Sequence, residues 1–290
     1  MSDPAPLDRQ LLDRHPLPPI EGGDKDSHGT VLIVAGSRDV PGAALLAAHG
    51  AMRSGAGKLQ IAAPDVIAVP LGIEMPEAMV VGHASHADGG FATSAIADLA
   101  ELGEKADAIV AGPGLESNRA GPPLASALLS LGKPLALDAA LLHILPDCAE
   151  QCRASKVPPI LLPHTGELAS LLDCPIGEVE ADPLDAGHRC ADRYGAMVLV
   201  KGSDSHVVAP DGSCFHYPGG GPGLGISGSG DVLAGIVGGL LARGADPLTA
   251  LIWAVWLHGE AGRALALKVG TVGFLAREIP GEVPALLPTR

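Results

Sequence analysis

The sequence predicts an α/β fold with a doubly wound, mostly parallel sheet flanked by helices, on three observations. Short continuous apolar runs alternate with longer small-residue segments of helical character along most of the chain, the pattern of buried parallel strands joined by crossover helices. The 290 residues include 39 glycines and 26 prolines but only 2% aromatics. The core must therefore be aliphatic and close-packed, with small residues where helices meet the sheet. Polar motifs recur where the apolar runs end, at Ser37, Gly112–Gly114, Asp138, His164 and Lys201. In open α/β sheets ligands bind outside those strand ends.

Residues 1–28 are polar and proline-rich and read as a loose lead-in, leaving 29–290 as one domain. Thr30–Ala35 (TVLIVA) is a continuous apolar run bounded by glycines, hence a buried strand. Gly36–Gly42 is a loop, and Ala43–Ser54 a small-residue helix. Lys58–Ala63 is the next strand. Ala106–Ala111 is another and runs straight into Gly112-Pro113-Gly114. Pro122–Leu131 is helical, and Pro134–Asp138 is a strand that ends in an acid. Ile160–Leu162 leads to Pro163-His164-Thr165-Gly166-Glu167. Leu184–Tyr194 is a helix, Ala196–Val200 a strand, and Lys201-Gly202 follows its end. His206–Ala209 and Ser213–Tyr217 flank Pro210-Asp211-Gly212, a β-hairpin pattern. Val232–Ala242 reads as a helix closed by Arg243-Gly244, and Leu248–Lys268 as a long apolar helix.

The net charge of −14 argues against nucleic acid or an acidic membrane surface as a general partner. It leaves nucleotides open, because local donors hold them. No apolar stretch reaches the roughly 18–20 residues of a membrane span. The N-terminus lacks the basic start and apolar core of a signal peptide, so a cytoplasmic location is expected. Five scattered cysteines without a C-x-x-C pair are expected to be reduced thiols. His143, Cys148 and Cys152 are too loosely spaced for a metal site and lack a fourth ligand. His83 and His86, in GHASHADGG, read as a polar loop.

The richest stretch is Gly219–Gly244, GGGPGLGISGSGDVLAGIVGGLLARG. A glycine loop delivers bare backbone N–H groups to a helix N-terminus, with Gly228, Ser229 and Gly230 as the cradle. That end carries about half a positive charge and suits a phosphate. Asp231 beside such a cradle is electrostatically odd unless it is a base or a metal partner. The plainer alternative is that Ser229 or Asp231 only caps the helix. Gly223, Gly225 and Gly228 match G-x-G-x-x-G, but the residues from His216 to Pro222 cannot be the central strand that a dinucleotide fingerprint needs. Gly55–Lys58 resembles the tail of a P-loop, yet Met52 and Leu59 stand where Gly and Ser or Thr belong. Neither G-x-S-x-G nor H-E-x-x-H occurs.

Taken together, these motifs resemble the ADP/ATP-dependent NAD(P)H-hydrate dehydratases of the ribokinase-like superfamily. The resemblance runs from about Leu17 to Leu287 and rests on VLIVAGS (31–37), PGAALLAAHGAMRSGAG (41–57), PEAM (76–79), AGPGLE (111–116), LDAALL (137–142), PHTGE (163–167), VLVKGSDS (198–205), SGSGDVLAG (227–235) and LHGEAG (257–262), in family order. It implies a ribokinase-like fold and a repair enzyme acting on the hydrated (S) form of NADH or NADPH. ADP or ATP phosphorylates the added hydroxyl, phosphate leaves, and the ring double bond returns. Carried over by position, Lys201, Gly202, Ser203, Asp204, Ser205 and Gly230 match nucleotide-binding residues. Ala43, Gly114, His164 and Asp231 match hydrate contacts, with Asp231 as catalytic base. Glu167 matches the acid of the superfamily's Asn-x-x-Glu element and would help hold Mg²⁺ through water. The expected partners are the hydrate and an adenine nucleotide, with no nucleic acid and no membrane. A homo-oligomer and a separate epimerase are also expected, since the epimerase domain often fused to this family has no room before residue 28.

Some positions depart from the family pattern. Ala140 replaces the second acid of Asp-Ala-Asp-Ala-Leu, Gly221 the Asn of GNPG, Ile226-Ser227 the usual Thr-Gly, Thr165 the Pro of PHPGE, Arg263 the Asp of AGD, and Ser205 a Thr. Two rival readings stay open. One is a kinase of the same superfamily acting on a sugar, thiazole or pyrimidine alcohol. The other is a nucleotide-binding protein that has lost catalysis.

Overall fold

The computed structural model describes residues 3–19, 25 and 27–288. Its strands are β1 (Ala5–Pro6), β2 (Thr30–Val34), β3 (Lys58–Pro64), β4 (Ala78–His83), β5 (Ala108–Ala111), β6 (Leu135–Leu137), β7 (Ile160–Leu161), β8 (Met197–Val200), β9 (Ser205–Val208) and β10 (Cys214–Tyr217). The helices are α1 (Arg9–Arg14), α2 (Gly42–Arg53), α3 (Asp65–Glu74), α4 (Ile96–Glu104), α5 (Gly121–Ser130), α6 (Ala140–Ile144), α7 (Ala149–Arg153), α8 (Thr165–Leu172), α9 (Ile176–Ala181), α10 (Pro183–Tyr194), α11 (Ser229–Ala242), α12 (Pro247–Lys268) and α13 (Ile279–Leu286).

The ten strands of the described residues lie in one sheet, ordered β1-β10-β9-β8-β7-β6-β5-β2-β3-β4. Every pairing is parallel except those of β9, which runs antiparallel to both β8 and β10. Consecutive residues of a strand face opposite sides, and the core divides accordingly. Val31, Ile33, Ile61, Val110 and Leu199 pack with α2, α11 and α12 on one face. Leu32, Val34, Ile109, Leu137 and Val198 pack with residues of α5, α8 and α10 on the other. Burial on both faces explains why these strands read as unbroken apolar runs rather than alternating ones.

The face carrying α2 and α11 is unusually tight. A Cβ at Gly235 would sit 2.0 Å from the Ala47 carbonyl oxygen, and one at Gly50 would sit 2.4 Å from the Val232 oxygen. A Cβ at Gly238 would meet Val110 of β5 at 2.2 Å. Glycines thus bring α11 against α2 and down onto β5 and β2, which fixes where its N-terminus lies.

The N-terminal segment differs from the loose lead-in expected. Ala5–Pro6 pair in parallel with Phe215 and His216 at the sheet edge. Leu11 and Leu12 of α1 are buried, and Trp253 Nε1 donates to the His15 carbonyl at 2.7 Å. A short amphipathic turn suffices because α12 supplies the apolar surface that it covers. GHASHADGG is likewise more than a polar loop, since His83 ends β4 and is buried against Phe91. Among the described residues no group of three His, Cys, Asp or Glu is placed to hold a metal. All five cysteines are free, and among the described residues no helix is long and apolar enough to cross a membrane.

Candidate active site

Five neighbouring strands, β8, β7, β6, β5 and β2, deliver their C-terminal ends in a row. Those ends carry Lys201, His164, Asp138, Gly112–Gly114 and Gly36-Ser37. At strand spacing the row spans about 19 Å, enough for two ligands end to end. The chain winds outward in both directions from the adjacent pair β2 and β5, and ligands are expected at such a switch point.

Above the row sits the N-terminus of α11. Its N-cap is Gly228, at φ 88°, with no side-chain capping bond. A Cβ there would lie 2.4 Å from Leu46 Cδ1, so the position requires glycine on both counts. The Ser229 amide donates to the Ile226 carbonyl at 3.3 Å, which removes it from the expected cradle. The amides of Gly228, Gly230 and Asp231 make no hydrogen bond among the described residues and remain free for an anion. The Ser229 hydroxyl instead meets His258 Nε2 at 3.0 Å. Burial pushes His258 down to about 4, so it is neutral near pH 7.

Asp231 therefore caps nothing. It stands at the third helical position, half-buried, and makes no hydrogen bond or ion pair among the described residues. Its carboxyl is raised to about 7, chiefly by burial and then by the charge of Asp138, with Lys201 opposing both. A carboxylate in the first turn of a helix is normally favoured by the helix dipole; here desolvation outweighs that attraction.

Asp138 and Lys201 form an ion pair, Oδ1 to Nζ at 2.9 Å, with the Asp138 side chain only 5% exposed. Asp138 appeared in the sequence as a strand-end acid but not among the expected binding residues. Its meeting with Lys201, two strands away, follows only from the strand order. His258 and Ser229 are paired by the fold in the same way.

Beside the cradle opens a cleft of about 720 Å³. Lys201, Gly202, Ser203 and Ser205 line one wall, and Gly219–Pro222 and Ile226 another, with Ser229 and Gly230 at its inner end. Tyr217, Leu199, Leu233 and Val255 make part of the lining apolar, which suits the flat face of a base beside polar groups for phosphate and ribose. A Cβ at Gly219 would come 2.1 Å from the Ser203 oxygen, so the two loops touch. Asp204 points elsewhere, to His216 Nε2 at 3.0 Å.

His164 also lines the cleft, at the N-cap of α8. Its Nδ1 accepts from the Gly166 amide at 3.0 Å while Glu167 Oε2 accepts from the His164 amide at 2.9 Å, a reciprocal capping pair. Its side chain is 61% exposed, with Nε2 lying 3.4 Å from Glu167 Oε1. Glu167 is buried and occupied by this cap. The donor set therefore fits Mg²⁺ only through water, with nucleotide phosphates as the main ligands, the usual arrangement for an ion that dehydrates reluctantly. Ala43 and Gly114 do not line the cleft. They lie together near the switch point: a Cβ on Gly114, at φ 63°, would meet that of Ala43 at 2.6 Å and the Val40 oxygen at 2.8 Å. Gly36 donates to the Pro113 carbonyl at 2.8 Å, closing the same corner.

Comparison with known proteins gives this arrangement a family. Residues 31–284 match the family model described as NAD(P)H-hydrate dehydratase. The chain is 44% identical to the ADP-dependent (S)-NAD(P)H-hydrate dehydratase of Xanthomonas campestris pv. campestris, covering 95% of this chain and 93% of that protein. It is 32% identical to the bifunctional NAD(P)H-hydrate repair enzyme of Escherichia coli, of which it spans 47%. The ADP/ATP-dependent NAD(P)H-hydrate dehydratase of Bacillus subtilis, co-crystallised with ATP/Mg²⁺, superposes with a TM-score of 0.82 at 27% identity over 99% of this chain and 98% of that one. The doubly wound sheet is thus the ribokinase-like fold that the motifs implied. The chain belongs to the NAD(P)H-hydrate dehydratase family.

Proposed function

We propose that the cleft holds ADP or ATP with its phosphates against the amides of Gly228, Gly230 and Asp231, and that hydrated NADH or NADPH lies along the β6–β5–β2 end of the row. The protein is a nucleotide-dependent dehydratase that returns the hydrate to NAD(P)H. One observation carries the catalytic assignment: an unpaired, half-buried carboxylate, Asp231, adjoins a helix N-terminus with open amides.

In the first step Asp231 takes the proton of the added hydroxyl as its oxygen attacks the terminal phosphorus. The bond from phosphorus to the bridging oxygen breaks, and AMP or ADP leaves with that electron pair. In the second step the C–O bond breaks and its electron pair leaves with the phosphate, the adjacent ring carbon gives its proton to water, and the C–H electron pair becomes the ring double bond. The open amides stabilise charge on the transferring group without having to reorganise. Mg²⁺, when bound through the phosphates and Glu167's water, supplies further neutralisation of that charge. The whole of 29–290 acts as one catalytic domain in this reading, cytoplasmic and homo-oligomeric.

The test is to mix purified protein with hydrated NADH, Mg²⁺ and either nucleotide and to follow the absorbance of the reduced nicotinamide. Return of that absorbance with phosphate release is expected. A kinase would instead accumulate a phosphorylated alcohol, and a protein that only binds nucleotide would release no phosphate.

Lys201→Ala combined with Ser205→Ala should raise the nucleotide Kd about tenfold, the loss of roughly one charge-assisted hydrogen bond. Calorimetric affinity equal to wild type would remove the β8–β9 turn from the nucleotide site. His164→Asn keeps a capping side chain but removes the ring exposed to the cleft. Because His164, at the end of β7, sits where the cleft meets the hydrate end of the row, the change should raise KM for the hydrate by about tenfold, more than it weakens the nucleotide. The reverse order of effects would place His164 on the nucleotide side.

A further inference from the structure

Asp138 has a costly local construction that the binding assignments leave unused. Its amide donates to the Ala111 carbonyl at 3.1 Å. Its own carbonyl occupies the space where a Cβ on Gly112 would sit, 1.8 Å away. Ala139, directly after it, is forced to φ 50° and ψ −125°, a conformation that non-glycine residues hold only where the surroundings impose it. The outcome is a buried carboxylate aimed at Lys201 and at the cradle. Oδ1 takes Lys201 Nζ at 2.9 Å and the Ala139 amide at 3.0 Å. A Cβ built on Gly230 would stand 3.6 Å from Lys201 Nζ and 3.9 Å from Asp138 Oδ2, so the pair lies directly against the phosphate cradle.

Two carboxylates, Asp138 and Asp231, therefore share one ammonium, and the fold gives it to Asp138. We propose that Asp138 is a positioning residue for phosphoryl transfer: it anchors the Lys201 ammonium over Gly230, where the cation faces the phosphoryl group, and so leaves the Asp231 carboxylate unpaired to accept the hydroxyl proton. The inference rests on the dehydratase reading for the reaction it serves, but the division of charge is a property of the free protein. Lys201 alone would quench a neighbouring base. Asp138 opposes that effect with a repulsion of its own, which adds to the burial that chiefly raises Asp231, to about 7 in all, where a base works best near neutral pH.

The charged groups that act on Asp231 are these two, from the ends of β6 and β8. From α12, His258 is neutral near pH 7. From α2, the groups facing the start of α11 are Leu46 and Ala47, which carry no charge.

The two members of the pair must consequently push Asp231 in opposite directions. Asp138→Asn frees Lys201 to pair with Asp231 and should lower the Asp231 titration midpoint by about one pH unit or more. Lys201→Met leaves the two acids facing each other and should raise it by about one unit. Carboxyl ¹³C NMR of the full chain, with the Asp231 resonance identified by its loss in Asp231→Asn, reads both shifts without requiring any turnover. In the active protein the acid limb of kcat/KM should move with each midpoint, while melting temperature, which a merely structural role would change, should not track the limb. Opposite movements support the pair. A midpoint that stays put in both variants overturns it. If Asp138→Asn does not fold, the Lys201→Met shift decides alone, upward in support and unmoved or downward against. Both shifts in the variants, with no turnover by the wild-type protein, would sink the dehydratase reading instead.

Discussion

Asp231→Asn should leave the protein folded and able to bind ADP or ATP while turnover falls at least ~100-fold, the lower end of what a positioned general base contributes. Asn matches Asp in size and removes only the basic oxygen. It cannot act by uncapping α11, because Gly228 is the N-cap and no side chain caps that helix. Wild-type turnover in this variant would leave the mechanism without a base. The same residue sets a pH dependence. Asp231 titrates at about 7 in the fold against an ordinary value of 3.8, so kcat/KM, which reports the free enzyme, should fall about tenfold per pH unit below 7.

The stability effect has the opposite sign. A carboxyl whose value is raised by folding contributes its stability below the unfolded value, and that contribution is lost as pH rises through the folded one. Wild type should therefore be less stable than Asp231→Asn at pH 8, by on the order of 1–3 kcal/mol after allowance for partial exposure, and the difference should shrink toward pH 4. Chemical denaturation of both proteins at the two pH values measures it.

Asp231 also shows how far the sequence could be read. The GSGD run announced a helix N-terminus with an acid beside it, and that pairing of an anion cradle with a base is legible from local chemistry alone. The buried strands were legible because burial on both sheet faces makes them continuous apolar runs. What surrounds Asp231 was not legible. Its partners Asp138 and Lys201 are 63 residues apart and meet only because β6, β7 and β8 are neighbours. Capping by Asp231 remained open on sequence because it depends on where the helix starts; the N-cap is Gly228, three residues before the acid, rather than the acid itself, and helix ends are the least determinate feature of a sequence. Helix α3 escaped notice because Pro70 lies inside it, and proline normally ends a helical pattern. Strand β4 escaped because its apolar run, Ala78–Val81, is short and stops at Gly82, and as the sheet edge it is only half-buried. The N-terminal strand and helix depend on α12 for their apolar contact, which no local pattern records.

Gly235→Ala should be strongly destabilising. Gly235 lies in mid-helix, where glycine costs about 1 kcal/mol relative to alanine, so on propensity alone the change would stabilise. Packing decides otherwise. The added Cβ would stand 2.0 Å from the Ala47 oxygen, 2.7 Å from its carbonyl carbon and 2.8 Å from its Cα. These are backbone atoms of α2 and cannot turn aside as a side-chain tip would. The helices cannot simply part, because a Cβ at Gly238 would already meet Val110 at 2.2 Å on the sheet side and one at Gly239 would meet the Ala51 oxygen at 2.4 Å. Overpacking of this kind costs about 3 kcal/mol or more when nothing can yield, a fall in Tm of roughly 6 °C or more for a chain of this size. Activity should fall further than stability, because α11 carries Asp231 and α2 carries Ala43. A displacement of about 1 Å between reacting groups can cost ~100-fold in rate. Gly281→Ala is the control: it is exposed in α13 with no atom within 4 Å of the added Cβ, and it should be neutral or gain up to ~1 kcal/mol. If Gly235→Ala melted with wild type while Gly281→Ala behaved as expected, the contact between α2 and α11 would be softer than its geometry implies, and the placement of Asp231 would have to rest on the sheet alone.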